Sequence, residues 1–157
     1  MVELSDLQVS RTTMVKAPPE RLYEIVSDVT RIGELSPQCK AAWWDEGSSP
    51  REGGWFTGRN EAEGREPWER RCEIYIADPG RAFGWVQGGR SDGVAEWSYR
   101  FRPVEEGTEV EESWRILRMA ERLIALGDEV LMQLKANTES SIEATLAKLK
   151  KVAELET

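Results

Sequence analysis

Residues 94–103 alternate without a break: Ala95, Trp97, Tyr99 and Phe101 are separated by Glu96, Ser98, Arg100 and Arg102. A period of two over that length places the large side chains on one face of a strand and the charged ones on the other. Further along, the period changes. From about 119 to 154, Leu123, Val130, Leu134, Ser141, Thr145 and Leu149 fall on one helical face and Val152 continues it. Leu126, Leu131, Ile142 and Leu146 widen that stripe, and Glu129, Lys135, Glu139, Glu143 and Lys150 lie opposite. Gly127-Asp128 is a point where the helix kinks or where its main part starts. A helix with one apolar stripe, following strands with one apolar face, has to bury that stripe on the sheet.

The segments before this pair supply the rest of the sheet. Leu7, Val9, Arg11, Thr13 and Val15 share one parity, which predicts a first strand over 6–16. Ala17-Pro18-Pro19-Glu20 breaks it, and Pro19 suits the first position of a short helix over 19–27. A second short helix is predicted over 29–35, ended by Ser36-Pro37 because the residue before proline avoids helix. Strands follow over 39–46, 54–62, 67–77, 82–87, 94–103 and 108–117. In the third of these, Trp68, Cys72, Ile74 and Ile76 share a parity; Asp78-Pro79-Gly80 makes the next turn. The predicted class is α+β: a curved antiparallel sheet of about seven strands around a long C-terminal helix, with two short helices after the first strand. A single domain over 1–157 is expected.

Composition removes several function classes. The chain has no histidine, so a Ser-His-Asp triad, a Cys-His dyad and a HExxH zinc site are impossible. Cys39 and Cys72 have no metal-type spacing, and no metal or cofactor is expected. A net charge of -8 argues against nucleic acid or an anionic membrane as main partner. No apolar run is long enough to span a bilayer, and Met1-Val2-Glu3-Leu4-Ser5-Asp6 lacks the form of a signal peptide, so a cytoplasmic location is expected. Gly89-Arg90-Ser91-Asp92-Gly93 matches a nucleophile-elbow pattern, but it joins two strands and has no histidine base, so it reads as a hairpin loop.

Several motifs occur together in a set order. Ala17-Pro18-Pro19-Glu20 precedes Val26-Ser27-Asp28 and then Ser36-Pro37; Gly54, Phe56, Gly58 and Asn60 are spaced along one strand. Trp68, Cys72, Asp78-Pro79-Gly80-Arg81 and Phe83 follow, and then Trp97, Tyr99, Pro103 and Gly107-Thr108. Over roughly residues 5–150 the chain resembles the polyketide cyclase/dehydrase branch of the START-like (SRPBCC) helix-grip superfamily, which includes the birch-pollen-allergen-type proteins. It departs at Leu35, where the family usually carries a tryptophan. The resemblance implies a cavity between sheet and helix. It does not imply one activity, because relatives include aromatic-ring cyclases, lipid carriers, hormone-binding proteins and toxin-like or stress-linked proteins. No catalytic residue is carried over from it.

The candidate site is the set of residues that alternation turns toward that interior. Seven tryptophans are many for 157 residues, and Phe56, Trp68, Trp85, Trp97, Tyr99 and Trp114 should share the concave face, either as core or as pocket lining. Polar residues on the same parity are Asn60, Arg70 and Glu112, with Cys72 among them as a small buried hydrophobe. Arg70 and Glu112 either pair with each other, or Glu112 acts as an acid or base while Asn60, Arg70 or Tyr99 orients a carbonyl. Val130, Leu134 and Ser141 would contribute from the helix, with Thr145 beside them. Of Trp43 and Trp44, one ring must point outward.

Three readings follow. The first is a monomeric or homodimeric binding protein for a small, largely apolar or aromatic molecule of lipid- or polyketide-like type. The second is a cyclase or dehydratase on an aromatic polyketide-like substrate, with Glu112 as its best catalytic candidate. The third is a toxin-like or stress-linked interaction module, which predicts a collapsed interior and an exposed apolar patch.

Overall fold

The computed structural model describes residues 1–156. Its elements in chain order are β1 (Gln8–Val15), α1 (Pro19–Ser27), β2 (Cys39–Trp44), β3 (Trp55–Ala62), β4 (Arg65–Asp78), β5 (Ala82–Gln87), β6 (Ala95–Val104), β7 (Gly107–Ile116), α2 (Glu121–Ile124) and α3 (Asp128–Leu155). Short 3-10 turns cover Leu4–Asp6 and Val29–Glu34. The first of these has no counterpart in the sequence reading; the second occupies the predicted second short helix.

The strands form one antiparallel sheet in the order β1-β7-β6-β5-β4-β3-β2. Only β1 has to cross the sheet to find its partner; the remaining strands pair with their sequence neighbours. β1 and β2 are therefore the two edges. The 3-10 turn Val29–Glu34 lies against β2, and α3 packs chiefly on β1, with further contacts to β7 and α1.

Local chemistry sets these boundaries. Pro19 opens α1. Asp28 accepts the backbone N–H of Thr30 at 3.1 Å and so begins the following turn. Gly127 has a φ of +85, a left-handed value that separates α2 from α3. The helical pattern from residue 119 is therefore two elements, and the main helix starts at Asp128.

Irregular register bends the half of the sheet away from α3. Pairing shifts occur between Cys39 and Ala41, between Asn60 and Ala62, and between Ile74 and Ile76. The last one corrects the parity of β4. Ile74 pairs with Trp85, but Ile76 pairs with Gly84, and Ala77 faces Phe83. Beyond Ile74 it is Ala77, not Ile76, that packs against the core. The outward Tyr75 covers Gly84, where an added Cβ would come within 2.8 Å of its ring. A side-chain-free position leaves the room that ring needs.

The core joins both faces of this arrangement. Leu7 just before β1 is fully buried, as are Val15, Ile74, Phe83 and Val110 from the sheet, Leu22 and Ile25 of α1, and Ile142, Leu149 and Ala153 of α3. Edge-to-face contacts link Tyr23 to Phe83 and Phe101, and a chain of rings runs from Trp44 through Phe56 to Trp85, with centroids 5.5–6.3 Å apart.

Candidate functional site

Register brings the predicted residues onto one surface. Phe56 is opposite Cys72, Gly58 opposite Arg70, and Asn60 opposite Trp68. Trp85 faces Trp97, Trp97 faces Trp114, and Tyr99 faces Glu112. Residues directly opposite in an antiparallel pair project to the same side. All ten sheet candidates therefore share the face on which α3 lies.

Depth then divides them. Phe56, Cys72, Trp85, Tyr99, Glu112 and Trp114 are buried. Asn60, Trp68 and Trp97 are half-buried, and Arg70 is exposed. The division follows the elements: β3 and β4 extend past the region that α3 covers. The Arg65 guanidinium lies 3.6 Å over the Trp68 ring, a cation–π contact that occupies one face of that indole. Of the adjacent pair, Trp44 turns inward at 5.9 Å from Phe56 and Trp43 turns outward, 41% exposed.

The helix candidates divide in the same way. The buried stripe of α3 runs through Leu131, Thr138, Ile142, Thr145, Leu146, Leu149 and Ala153. Leu134 and Ser141 are half-buried beside it. Val130 lies off the stripe and is 49% exposed, which corrects its expected inward placement. Its neighbours Ile124, Leu126 and Met132 are exposed as well. The stripe passes one residue beyond Val130, through Leu131. Thr138 was missed by the sequence reading although it stands four residues after Leu134; its hydroxyl donates to the Leu134 carbonyl oxygen at 2.8 Å.

Glu112 dominates the electrostatics. It is 3% exposed, and its Oε1 is buried without a hydrogen-bond partner among the described residues. Burial pushes its pKa up to about 8, and only the Tyr99 hydroxyl works in the opposite direction. At neutral pH the group is therefore mostly a neutral acid, able to donate as well as accept. Tyr99 is raised well above the usual phenol value, first by burial and then by Glu112. Among the described residues, the Trp97 Nε1 is the other buried side-chain polar atom without a partner. It belongs to the residue diagonal to Glu112 across the β6–β7 ladder, a spacing of roughly 7–8 Å between positions.

The alternative pairing of Glu112 with Arg70 does not occur: no ion pair joins them among the described residues. Arg70, although exposed to solvent, is shifted down, first by partial desolvation of its guanidinium and then by the charges of Arg65 and Arg122. Cys72 and Cys39 are both reduced thiols, and burial raises Cys39 to about 11, so neither is a thiolate nucleophile at neutral pH. The Gly89–Gly93 segment is a loop between β5 and β6.

Two open grooves, of about 710 and about 400 Å3, lie on the outer face of the sheet. The first is lined by Pro19, Pro79, Arg81, Arg100 and Glu109 among others, the second by Ser10, Glu96, Ser98 and Ser113. Neither includes Glu112. No helix among the described residues is long and apolar enough to cross a membrane.

Comparison with known proteins follows the fold. A family model described as polyketide cyclase / dehydrase and lipid transport matches residues 6–154. The solution structure of the polyketide-cyclase-like protein Cgl2372 from Corynebacterium glutamicum is 34% identical, with a TM-score of 0.68 over 95% of this chain and 92% of that one. The di-domain ARO/CYC StfQ from the steffimycin biosynthetic pathway gives 0.77 at 15% identity, over 98% of this chain and 53% of its own length. Protein NE0264 from Nitrosomonas europaea gives 0.73 at 10% identity, over 99% of this chain and 98% of that one. The last two likenesses concern the fold. No curated protein matches the chain.

Proposed function

Since this chain belongs to the polyketide cyclase/dehydrase and lipid transport family, we propose that it binds a small, largely apolar or aromatic molecule between the concave face of the sheet and α3. Glu112, Trp97 and Tyr99 supply the polar contacts. Phe56, Trp85 and Trp114 supply the apolar walls, and Trp68, Asn60 and Arg70 stand at the entrance beside the exposed start of α3.

The observation that carries this reading is the pair of buried polar atoms without partners, Glu112 Oε1 and Trp97 Nε1. An unmade hydrogen bond in an apolar interior costs about 1–3 kcal/mol. Two of them, one ladder step apart on an aromatic surface, fit a ligand that brings its own donor or acceptor. Entry requires the rings around them to shift; the half-buried Trp97 and the uncovered half of the sheet leave room for that.

A second reading is favoured by the state of Glu112. A neutral carboxyl with a pKa near 8, opposite a phenol on the ladder and diagonal to a residue with a free indole N–H, is suited to protonate a carbonyl or a departing hydroxyl. Such a site would serve a cyclase or dehydratase.

Native mass spectrometry of freshly purified protein, set against its denatured mass, tests the binding reading. The expected result is an added small-molecule mass that disappears on denaturation and has an apolar or aromatic composition. A bare chain mass, together with no thermal stabilisation by a panel of aromatic ketones and lipids, contradicts it. Glu112→Gln separates the two readings: a carrier keeps its ligand with changed affinity, whereas an enzyme retains binding and loses turnover.

A further inference from the structure

Arg11 is directly opposite Glu112 on the β1–β7 ladder. Both side chains therefore leave the sheet on its concave side, within reach of one another. A buried carboxyl with a guanidinium next to it ordinarily pairs with it. Here it does not. Arg11 Nη2 lies 3.4 Å from Glu139, its Nε lies 3.5 Å from Glu143, and its Nη1 donates to the Ser10 carbonyl oxygen at 2.8 Å. Glu139 and Glu143 are one helical turn apart on α3, so the same guanidinium meets both. Three carboxyl groups compete for one cation, and the two on the helix hold it.

We propose that Glu139 and Glu143 are positioning residues that hold Arg11 outward, leaving the buried Glu112 without a counter-charge and open to an uncharged, oxygen-bearing ligand. With Arg11 turned inward, an Arg11–Glu112 ion pair would fill the same space and favour no neutral molecule. The inference rests on the reading of Glu112 as the polar anchor of the interior, but its test needs no ligand, so the two fail separately.

The groups that face Glu112 define the competition. From β6 it meets Tyr99, with Cys39 of β2 acting on that phenol. From β1 it meets Arg11, and α3 contributes Glu139 and Glu143 through Arg11. Arg70 lies toward the β3–β4 hairpin.

The test is a carbon-13 titration of the Glu112 side-chain carboxyl by NMR in the full chain. In the double variant Glu139→Gln with Glu143→Gln, Arg11 is released and the Glu112 midpoint should fall by about one pH unit or more. Adding Arg11→Met to that variant should restore the wild-type midpoint, and Arg11→Met alone should leave it unmoved. An unchanged midpoint in the double variant overturns the proposal. So does an equal fall with and without Arg11, because the helix charges would then act directly. A rise in Arg11→Met alone also overturns it, since Arg11 would already be paired with Glu112. Should the double variant fold poorly, Glu139→Gln alone gives a smaller fall in the same direction.

Discussion

The two halves of α3 are built differently. The C-terminal half buries Ile142, Leu146, Leu149 and Ala153 and is fastened at its end. Glu154 takes Lys150 at 2.8 Å and the backbone N–H of Lys16 at 2.9 Å. Glu156 takes Arg31 at 2.5 Å and also Arg21. The N-terminal half has one fully buried apolar side chain, Leu131, and leaves Val130 and Met132 exposed beside Ile124 and Leu126 of α2. One helix thus serves as structural anchor at one end and as an uncovered margin at the other. The lesson is that helical period alone reports that a stripe will be buried, not along how much of its length.

The largest test of that difference is truncation in each half. Leu149→Ala should cost about 2–5 kcal/mol in denaturant unfolding, through lost burial and a residual cavity. Val130→Ala should stay within about 0.5 kcal/mol. Equal losses would break the comparison.

Next in size is the pH dependence set by Glu112, which lies deep in the site rather than at either end. Its folded pKa of about 8 stands above the 4.5 expected when unfolded. Between those values the native state holds the proton that the unfolded chain releases, so stability falls as pH rises through this window. Glu112→Gln keeps the shape and removes the titration. The difference between wild type and variant, read from unfolding at pH 4 to 9, should grow by a few kcal/mol toward high pH. A flat difference would mean that the carboxyl is not held neutral.

Amide hydrogen exchange should sharpen the contrast along α3 itself. Residues 142–153 should exchange only on global opening, and residues 128–133 through local opening at much lower cost. Uniform protection would contradict the division. The smallest effect is expected from Glu156→Ala: a slight drop in thermal midpoint that high salt diminishes, since its partners Arg21 and Arg31 act near the surface.

The sequence made the fold readable because its periods are long and consistent. The alternation of Trp97, Tyr99 and Phe101 gave β6, and the 3.6-residue spacing through Leu149 gave α3. Two features broke the pattern. The irregular pairing at Ile74/Ile76 inserts a residue and turns Ile76 outward, which no composition signal marks. Val130 shares an apolar spacing with Leu134 and Ser141, but the buried stripe enters α3 one residue later, at Leu131, so Val130 turns outward. At the site, parity correctly placed Glu112, Tyr99 and Trp97 on one face. It could not reveal that Arg70 stays exposed while Arg11, on the same parity as Val9 and Thr13, stands opposite Glu112. That pairing arises from the β1–β7 register, which joins the first strand to the last.

The most direct test of the central claim is the tryptophan indole spectrum during titration with naphthol, a flat apolar probe with one hydroxyl. Nitrogen-15 labelling resolves each Nε1–H, and Trp97→Phe and Trp43→Phe variants assign the two that matter. Binding in the interior predicts that the Trp97 resonance moves most while the outward Trp43 stays in place. A Trp43 shift with Trp97 unmoved would contradict the account and locate recognition on the outer surface.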